Sequence, residues 1–520
     1  MGAYVLVRKD SYHDSVLLMR LSQALKGLAG VEDAVVAMGT PHNRQLLEGL
    51  GYAGPALASA GPNDLLIAVK GGADTLSAVE AGLDALLKAE QAPAGGAGGA
   101  GAEVRPTSLA AALKTHPESN LVLISVPGAH AAREARRALA LGRHVMLFSD
   151  NVPLEDEIAL KREGAARGLL VMGPDCGTAI LNGMPLAFAN AVRRGPVGIV
   201  GAAGTGIQEI SCCIHRLGGG VSQAIGTGGR DLSEAVGGTM TLLGIAALSA
   251  DPATAVLVVV SKPPAAAVAE QVIAALTASP RPCVVHFVGD SPRADDPARG
   301  LYFADSLSGA ARTACRLAGA PGLGAAPPAP DPARIAMLAS RLAPGAALRA
   351  LFCGGTTGQE ALVILTRAGL EVRSNLHKKG GLRVDGTALA PGHALLDLGD
   401  DVFTVGRPHP MIEPELRNER LALEVQDPAT GLLLFDCVLG YGAHPDPAGV
   451  LAEGVERARV AARGRELVAV ASVTGTPGDP QDFGAQVRRL EAAGITVEAD
   501  NRSAAALAAA MLASGAGAGK

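Results

Sequence analysis

The chain has 520 residues, a formal net charge of −5 and 48% hydrophobic residues, yet only 2% aromatics and no Trp. That length has room for about three or four domains, and an acidic balance without a basic stripe or interleaved aromatics excludes a nucleic-acid binder. Seven scattered cysteines without CxxC or Cys/His ligand spacing exclude a cysteine-held metal site and point to a reduced cytoplasm. No run reaches the roughly 18 apolar residues that span a bilayer, and Met1 to Asp10 has no cleavable apolar core, so cytoplasmic localisation is expected.

In chain order, Tyr4 to Val7 reads as a short strand and Ser15 to Ala29 as an amphipathic helix, with Leu17, Leu21, Leu25 and Leu28 on one side. Ala34 to Met38 is a second strand, Asn43 to Gly51 a short helix, Asp64 to Val69 a third strand and Thr75 to Lys88 a further helix. This order predicts a small α+β domain of ferredoxin-like type over 1–91. Ala92 to Ala102, APAGGAGGAGA, cannot build a core and predicts a flexible linker over 92–103.

Leu121 to Val126, Ala131 to Leu141, His144 to Phe148, Leu154 to Arg167 and Leu169 to Met172 alternate strand, helix, strand, helix, strand. Such alternation predicts a parallel sheet with right-handed crossovers. Ligands on these sheets bind beyond the carboxyl ends of the strands. Pro127-Gly128, Ser149-Asp150-Asn151 and Pro174-Asp175-Cys176 all fall there.

Gly195 to Gly238 is the stretch around which the chain is organised. Val197 to Val200 reads as a buried strand, Ala202 to Gly206 as a small-residue turn, and Ile207, Ile210, Ile214 and Leu217 as the buried stripe of a helix. A helix that opens after a glycine turn presents free N–H groups and a positive dipole end, which suits phosphate or carboxylate. A second turn, Gly226 to Asp231, precedes another helix. Close packing of strand on helix would use the same glycines. His286 lies inside an apolar strand and reads as a packing residue, and Ala320 to Pro332 is a Pro/Gly/Ala-rich linker.

Beyond it, Leu348 to Phe352 is a strand, Cys353 to Gly358 a third glycine turn and Gln359 to Ala368 its helix. Ala394 to Leu398 is a strand. Gly406 to Met411 is a proline-fixed segment holding Arg407 and His409. Leu432 to Leu439 is a buried strand ending in Gly440 to Pro447, where a helix opens, and Leu467 to Val473 is the next strand. Arg407 suits a bidentate grip on carboxylate or phosphate. His409 is the best general acid/base candidate on the expectation of a pKa near neutrality. A salt-bridged structural loop is the plainer reading of both. Cys176 and Cys353, each in a turn, are weaker nucleophile candidates.

The stretch VPGAHAAREARRALALGRHVMLFSDNVPLEDEIALKREGAARGLLVMGPDCGTAILNG resembles the second half of the CoA-binding domain of the succinyl-CoA synthetase α subunit. GPVGIVGAAGTGIQE resembles the start of that subunit's next, flavodoxin-like domain, and LLLFDCVLGYGAHPDPAGVLAEGV is similar to the carboxyl-terminal domain of the β subunit. Together with the N-terminal extension, the whole chain resembles the FdrA family of acyl-CoA-synthetase-like proteins. The resemblance implies an α/β fold of several parallel-sheet, Rossmann-like and flavodoxin-like domains beside the small N-terminal one. These are a CoA-binding-like domain over 104–190, an α-like flavodoxin domain over 191–319, a linker over 320–332 and a β-like domain over 333–520.

It also implies a site where two helix starts converge on one phosphate. Gly204, Thr205 and Gly206, with Gly228 and Gly229, would supply one half. Gly440, Gly442 and Ala443 would supply the other, with His444 donating to phosphate or accepting a proton. CoA, the one cofactor implied, would lie at Pro127, Gly128 and Asn151. Two departures stand out: the synthetase's opening strand and CoA-gripping glycine loop have no counterpart before Leu121, and Val284 to Ala311 lacks the Gly-His-Ala-Gly loop that carries phosphohistidine.

Three readings follow. The first is a subunit exchanging a carbamoyl or acyl group with phosphate, as in the oxamate carbamoyltransferase of allantoin breakdown. The second is an acyl-CoA synthetase subunit working with a nucleotide-binding partner. The third is a non-catalytic scaffold. All three expect a small carboxylate or carbamoyl ligand, partner subunits and an oligomer, without nucleic acid, membrane or metal.

Overall fold

The computed structural model describes residues 2–11, 13, 15–28, 30–72, 75–76, 79–80, 82–83, 106–320, 331–386, 388–404 and 407–517. They form two compact units: Met1–Arg105 with Phe403–Pro408, and Pro106–Val402 with His409–Lys520.

In the first unit, β1 (Gly2–Arg8), β2 (Val31–Met38) and β3 (Leu65–Gly71) form a sheet in the order β1-β3-β2, with both outer strands antiparallel to β3. Alternation along β3 divides its side chains. Leu65, Ile67 and Val69 pack beneath Leu18, Leu21 and Leu25 of the Ser15–Lys26 helix, while Leu66 and Ala68 meet Leu47, Tyr52 and Leu57 on the other face. The expected helix over Thr75 to Lys88 is helical at its described residues; the rest of it, the 92–103 linker and most of the 320–332 linker lie outside the described residues.

The second unit carries three sheets. β4 (Leu121–Ile124), β5 (His144–Leu147) and β6 (Val171–Met172) are parallel. A seven-stranded sheet has the order β13-β12-β11-β9-β10-β7-β8. It is built from β7 (Thr178–Leu181), β8 (Met184–Ala187), β9 (Arg194–Ala202), β10 (Val221–Gly226), β11 (Val256–Ser261), β12 (Cys283–Phe287) and β13 (Leu301–Phe303). Only β7, in the edge hairpin with β8, runs against the other strands. The third sheet, β15-β16-β14-β17-β18-β19, is wholly parallel. Its strands are β14 (Ala347–Phe352), β15 (Val372–Ser374), β16 (His393–Asp397), β17 (Thr430–Val438), β18 (Val468–Thr474) and β19 (Ile495–Glu498). Unbroken runs such as VLVVVS and TGLLLFDCV are buried throughout because helices cover both faces.

Both large sheets reverse their strand order at the middle. β10 lies on one side of β9 and β11 on the other; β16 lies on one side of β14 and β17 on the other. A crevice opens at the carboxyl end of such a reversal. The reversal falls between β9 and β11 in one sheet and between β14 and β17 in the other, so the turns after β9, β11 and β14 lie at these crevices.

Two buried carboxylates fasten the two sheets. Glu209 accepts from the Thr474 hydroxyl at 2.6 Å and the Asn501 N–H at 3.2 Å. Glu360 accepts from the Leu307 N–H and the Asn501 side-chain amide, both at 2.7 Å. Burial pushes Glu360 up to about 7 from an ordinary 4.5. The folded state thus favours the protonated acid: the stability this gives is complete below about pH 4.5 and is lost as pH rises through about 7. The shift corresponds to about 3 kcal/mol. Thermal unfolding midpoints should therefore fall between pH 5 and pH 8, and Glu360→Gln should flatten the fall; an unchanged pH profile would contradict the assignment.

A buried ion cluster joins the three-stranded sheet's helix Leu154–Ala166 to the turn after β10. The Lys161 ammonium reaches Glu157 at 2.8 Å, Asp231 at 2.9 Å and the Thr227 carbonyl at 2.8 Å, with Lys161 wholly buried. Asp231 also accepts from the Thr241 N–H and hydroxyl, capping the Thr239–Ala250 helix.

Candidate active site

The Gly204–Arg216 helix opens directly after β9. The first N–H groups of a helix have no intrahelical acceptor, and Ala203 at the N-cap offers no side-chain oxygen. Gly204 is half-buried and Thr205 buried. A side chain built on Gly204 would meet only the Thr178 hydroxyl, at 3.7 Å, so space remains there. That hydroxyl is itself buried and has no hydrogen-bond partner among the described residues. An uncapped helix start beside an unpartnered hydroxyl is the arrangement that an oxyanion satisfies.

A second helix, Gly355–Arg367, opens after β14 and meets the first start to start. The Thr356 N–H donates to Thr205 Oγ1 at 3.2 Å. Side chains on Gly354 or Gly206 would press within 2.7 Å of Thr205 or 2.9 Å of Thr356 respectively, so small residues are what allow the approach. The N–H groups of Cys353 and Gly354 and the Thr357 hydroxyl donate to Asp436 on β17, at 2.8, 2.9 and 2.9 Å. This second turn is thereby held by a carboxylate, whereas the first is not. Two positive helix ends in contact oppose one another, and each favours an anion by about 0.5–2 kcal/mol.

Lys262, just beyond β11, stands 3.9 Å from Asp397 at the end of β16 and is 40% exposed, open to a ligand. A side chain on Gly355 would collide with both Asp397 and Lys262. Burial pushes Asp397 up to about 6, with Lys262 pulling the other way. The crevice thus gathers Thr178, Gly204, Thr205, Lys262, Gly355 and Asp397.

Of the two turns expected to converge, the structure brings Gly204–Gly206 into this crevice and places Gly440–Ala443 beside it. The turn that faces Thr205 is Cys353–Thr356, not Gly440–Ala443. Gly440 and Gly442 pack against the backbone of Ala187–Ala189. Most of that segment's donors are already used: Gly440 N–H on Gln481, Tyr441 on Ala189, Ala443 on Gly440 and His444 on Met411, while the Gly442 N–H has no partner among the described residues. Gln208, on the first helix, donates to the Phe188 and Leu439 carbonyls and so clamps this segment beside the site. Gly228 closes on Gly173 and Pro174, while Gly229 meets nothing within 4 Å.

His409 packs 5.6 Å from the Phe188 ring, and its Nδ1 accepts from the Met411 N–H at 3.2 Å. Burial pulls its pKa down to about 4, which corrects the expectation of a value near neutrality and leaves a neutral ring. His444 Nδ1 accepts from the Asp446 N–H at 3.0 Å, within the cap of the following helix. Arg407 belongs to the first unit, half-buried, with its N–H on the Thr404 carbonyl. Burial pushes the thiols of Cys176 and Cys353 up to about 12, which removes them as nucleophiles.

At the expected CoA position, Pro127 and Asn151 are exposed and Gly128 is buried. A side chain on Gly128 would fall 2.2 Å from the Asp150 carbonyl, so this glycine admits the chain's own backbone rather than a ligand's. Among the described residues no helix is long and apolar enough to cross a membrane, and no group of three or more His, Cys, Asp and Glu is placed to hold a metal.

Against known families, the CoA-ligase family matches residues 351–511 and the CoA-binding domain family matches 192–289. Residues 1–105 match the family described as AllF, heavy metal-associated domain. Those 105 residues contain no cysteine, so they do not fit a thiolate-held metal. The uncharacterized protein YahF of Escherichia coli (strain K12) is 42% identical over 513 residues, 98% of each chain. The ADP-forming sulfoacetate-CoA ligase subunit SauD of Bilophila wadsworthia is 26% identical over 157 residues, 29% of this chain and 52% of that protein. Among solved structures, the apo dinucleotide-forming acetyl-coenzyme A synthetase 1 of Ca. Korarchaeum cryptofilum aligns with 76% of this chain and 83% of that one, at 16% identity and a TM-score of 0.32.

Proposed function

This chain belongs to the family of the uncharacterized E. coli protein YahF, and we propose that it is the acyl-phosphate-handling subunit of an enzyme of the acid–thiol ligase class. The observation that carries this reading is the uncapped start of the Gly204–Arg216 helix beside the unpartnered Thr178 hydroxyl. The CoA-binding match takes in Gly204, Thr205 and Lys262 and the CoA-ligase match takes in Gly355 and Asp397, while Thr178 lies outside both.

In the reaction proposed, a thiol attacks the carbonyl carbon of an acyl phosphate. The new carbon–sulfur bond forms, the carbon–oxygen bond to phosphate breaks, the thiol proton is lost and inorganic phosphate leaves. The chain's own part is to hold the phosphoryl oxygens. The N–H groups of Gly204 and Thr205 and the Thr178 hydroxyl donate to them, and Lys262 offsets the charge that develops on the leaving oxygen. Asp397 would position Lys262. No step is assigned to the neutral His409, and none is routed through a CoA site on Gly128.

A second reading keeps the same phosphoryl site but transfers a carbamoyl group between phosphate and an acceptor such as oxamate. One observation favours it. His286, the sole histidine between Val284 and Ala311, lies within β12 with Nδ1 on the Ala304 carbonyl at 2.9 Å, and is not on a carrier loop. Carbamoyl phosphate is already activated and needs no carrier. The full chain, purified with the products of neighbouring genes, should form a thioester from acetyl phosphate and CoA. Phosphate-dependent cleavage of oxalurate in place of thioester formation would favour the second reading; neither activity, with an intact fold, would contradict both.

A further inference from the structure

A cavity of about 110 Å³ lies at the carboxyl ends of β12 and β13, with the end of the Gly355–Arg367 helix forming part of its wall. His286, Ser291, Arg293, Asp305 and Arg367 line it with the backbone of the Phe287–Pro292 loop. That helix is about 18 Å long at 1.5 Å per residue, so the cavity stands a helix length from the start that faces Thr205.

The His286 ring is buried, at 4% exposure. Its Nδ1 bonds the Ala304 carbonyl at 2.9 Å, and a carbonyl only accepts, so Nδ1 carries the proton. Burial pulls the ring's pKa below the ordinary histidine value, which keeps it neutral. Nε2 is then a bare acceptor, and it has no partner among the described residues.

Arg293 bonds Glu270 at 2.9 Å and stands 3.5 Å from Asp290, and Arg367 bonds the Asp290 carbonyl at 3.4 Å. A guanidinium has five N–H donors, and these contacts use only some of them. Asp305, the remaining acid, is held by Arg502 at 3.1 Å. The cavity therefore offers one buried acceptor and two guanidinium groups with N–H donors to spare, Arg367 bonded only to a carbonyl and Arg293 engaged in part by Glu270 and Asp290.

We propose that this cavity binds a small carboxylate that also carries a hydroxyl or amide N–H: the arginines take the carboxylate and His286 Nε2 takes the donor. Lactate and propionate differ only in the hydroxyl and separate the two contributions. By titration calorimetry on the full chain, lactate should bind about tenfold or more tightly than propionate, since a buried acceptor left unpaired is costly. His286→Leu should erase that preference. Arg293→Ala, on a partly exposed side chain, should weaken both ligands while the thermal midpoint stays unchanged. Sulfate binding at Gly204 should be unaffected in either variant, which separates this site from the phosphoryl one. Equal affinity for the two acids, no heat from either, or lactate preference surviving in His286→Leu would overturn the proposal; should that variant fail to fold, unchanged lactate affinity in Arg293→Ala would do so.

Discussion

Replacing Gly204 with leucine is expected to abolish phosphate and sulfate binding and leave turnover undetectable, while the thermal midpoint moves by no more than about 2 °C. The expectation rests on a difference among the glycines of the site. A Cβ at Gly206, Gly354 or Gly355 would approach another side chain to 2.9, 2.5 or 2.4 Å, so substitution there must push the two helices apart. At Gly204 the nearest atom is the Thr178 hydroxyl at 3.7 Å, an ordinary contact. The leucine would fill the space in front of the free N–H groups without disturbing the core. Losing about a hundredfold in affinity corresponds to about 2.7 kcal/mol, in line with a few charge-assisted hydrogen bonds and one helix end. Calorimetry with sulfate, paired with a thermal melt, checks both halves. Undiminished sulfate binding in a folded Gly204→Leu protein would remove this helix start from the site.

The largest loss of stability should come from Lys161→Met. Methionine matches the lysine stem in volume but leaves Glu157 and Asp231 buried without their shared cation. Breaking a buried pair in this way costs about 3–5 kcal/mol. Arg230 still reaches Glu157 at 2.7 Å, so Asp231 bears most of the loss, and with it the cap of the Thr239–Ala250 helix. A fall of about 10 °C in the first thermal transition is expected. Adding Asp231→Asn should recover part of it, because the amide removes the unpaired charge and still accepts from Thr241. A midpoint within 2 °C of the parent in Lys161→Met would mean that the cluster is solvated in solution.

Much of the fold was legible because its signals are local. Unbroken Val and Leu runs gave the buried parallel strands, and the leucine stripe from Leu17 to Leu28 gave the first helix. The glycine turn at Ala202–Gly206 announced a helix start after a strand, which makes Gly204 and Thr205 candidates. The same pattern stands at Cys353–Gly358, and it is this turn that meets Thr205. Sequence reading passed over it in favour of Gly440–Ala443, because that segment carries histidine and the family resemblance. Spacing cannot reveal that the N–H groups of Gly440, Tyr441 and Ala443 are taken by Gln481, Ala189 and Gly440 respectively.

Thr178, Lys262 and Asp397 were missed for a different reason. Each is a single polar residue at the end of an apolar strand, and only the strand order of the two sheets brings them together. The rule that ligands gather beyond carboxyl ends at a reversal of strand order would have selected Lys262 once that order was known, and Asp397 only through its contact with Lys262. His409 was misjudged because burial, which sequence does not display, sets its pKa.

The most direct test is the structure of the full chain crystallised with phosphate or sulfate. The account predicts one tetrahedral anion within hydrogen-bond distance of the Gly204 and Thr205 N–H groups and the Thr178 hydroxyl, on the side facing Lys262. An anion seated instead against Gly440–Ala443, or a crevice at Gly204 holding only water at saturating anion, would contradict it.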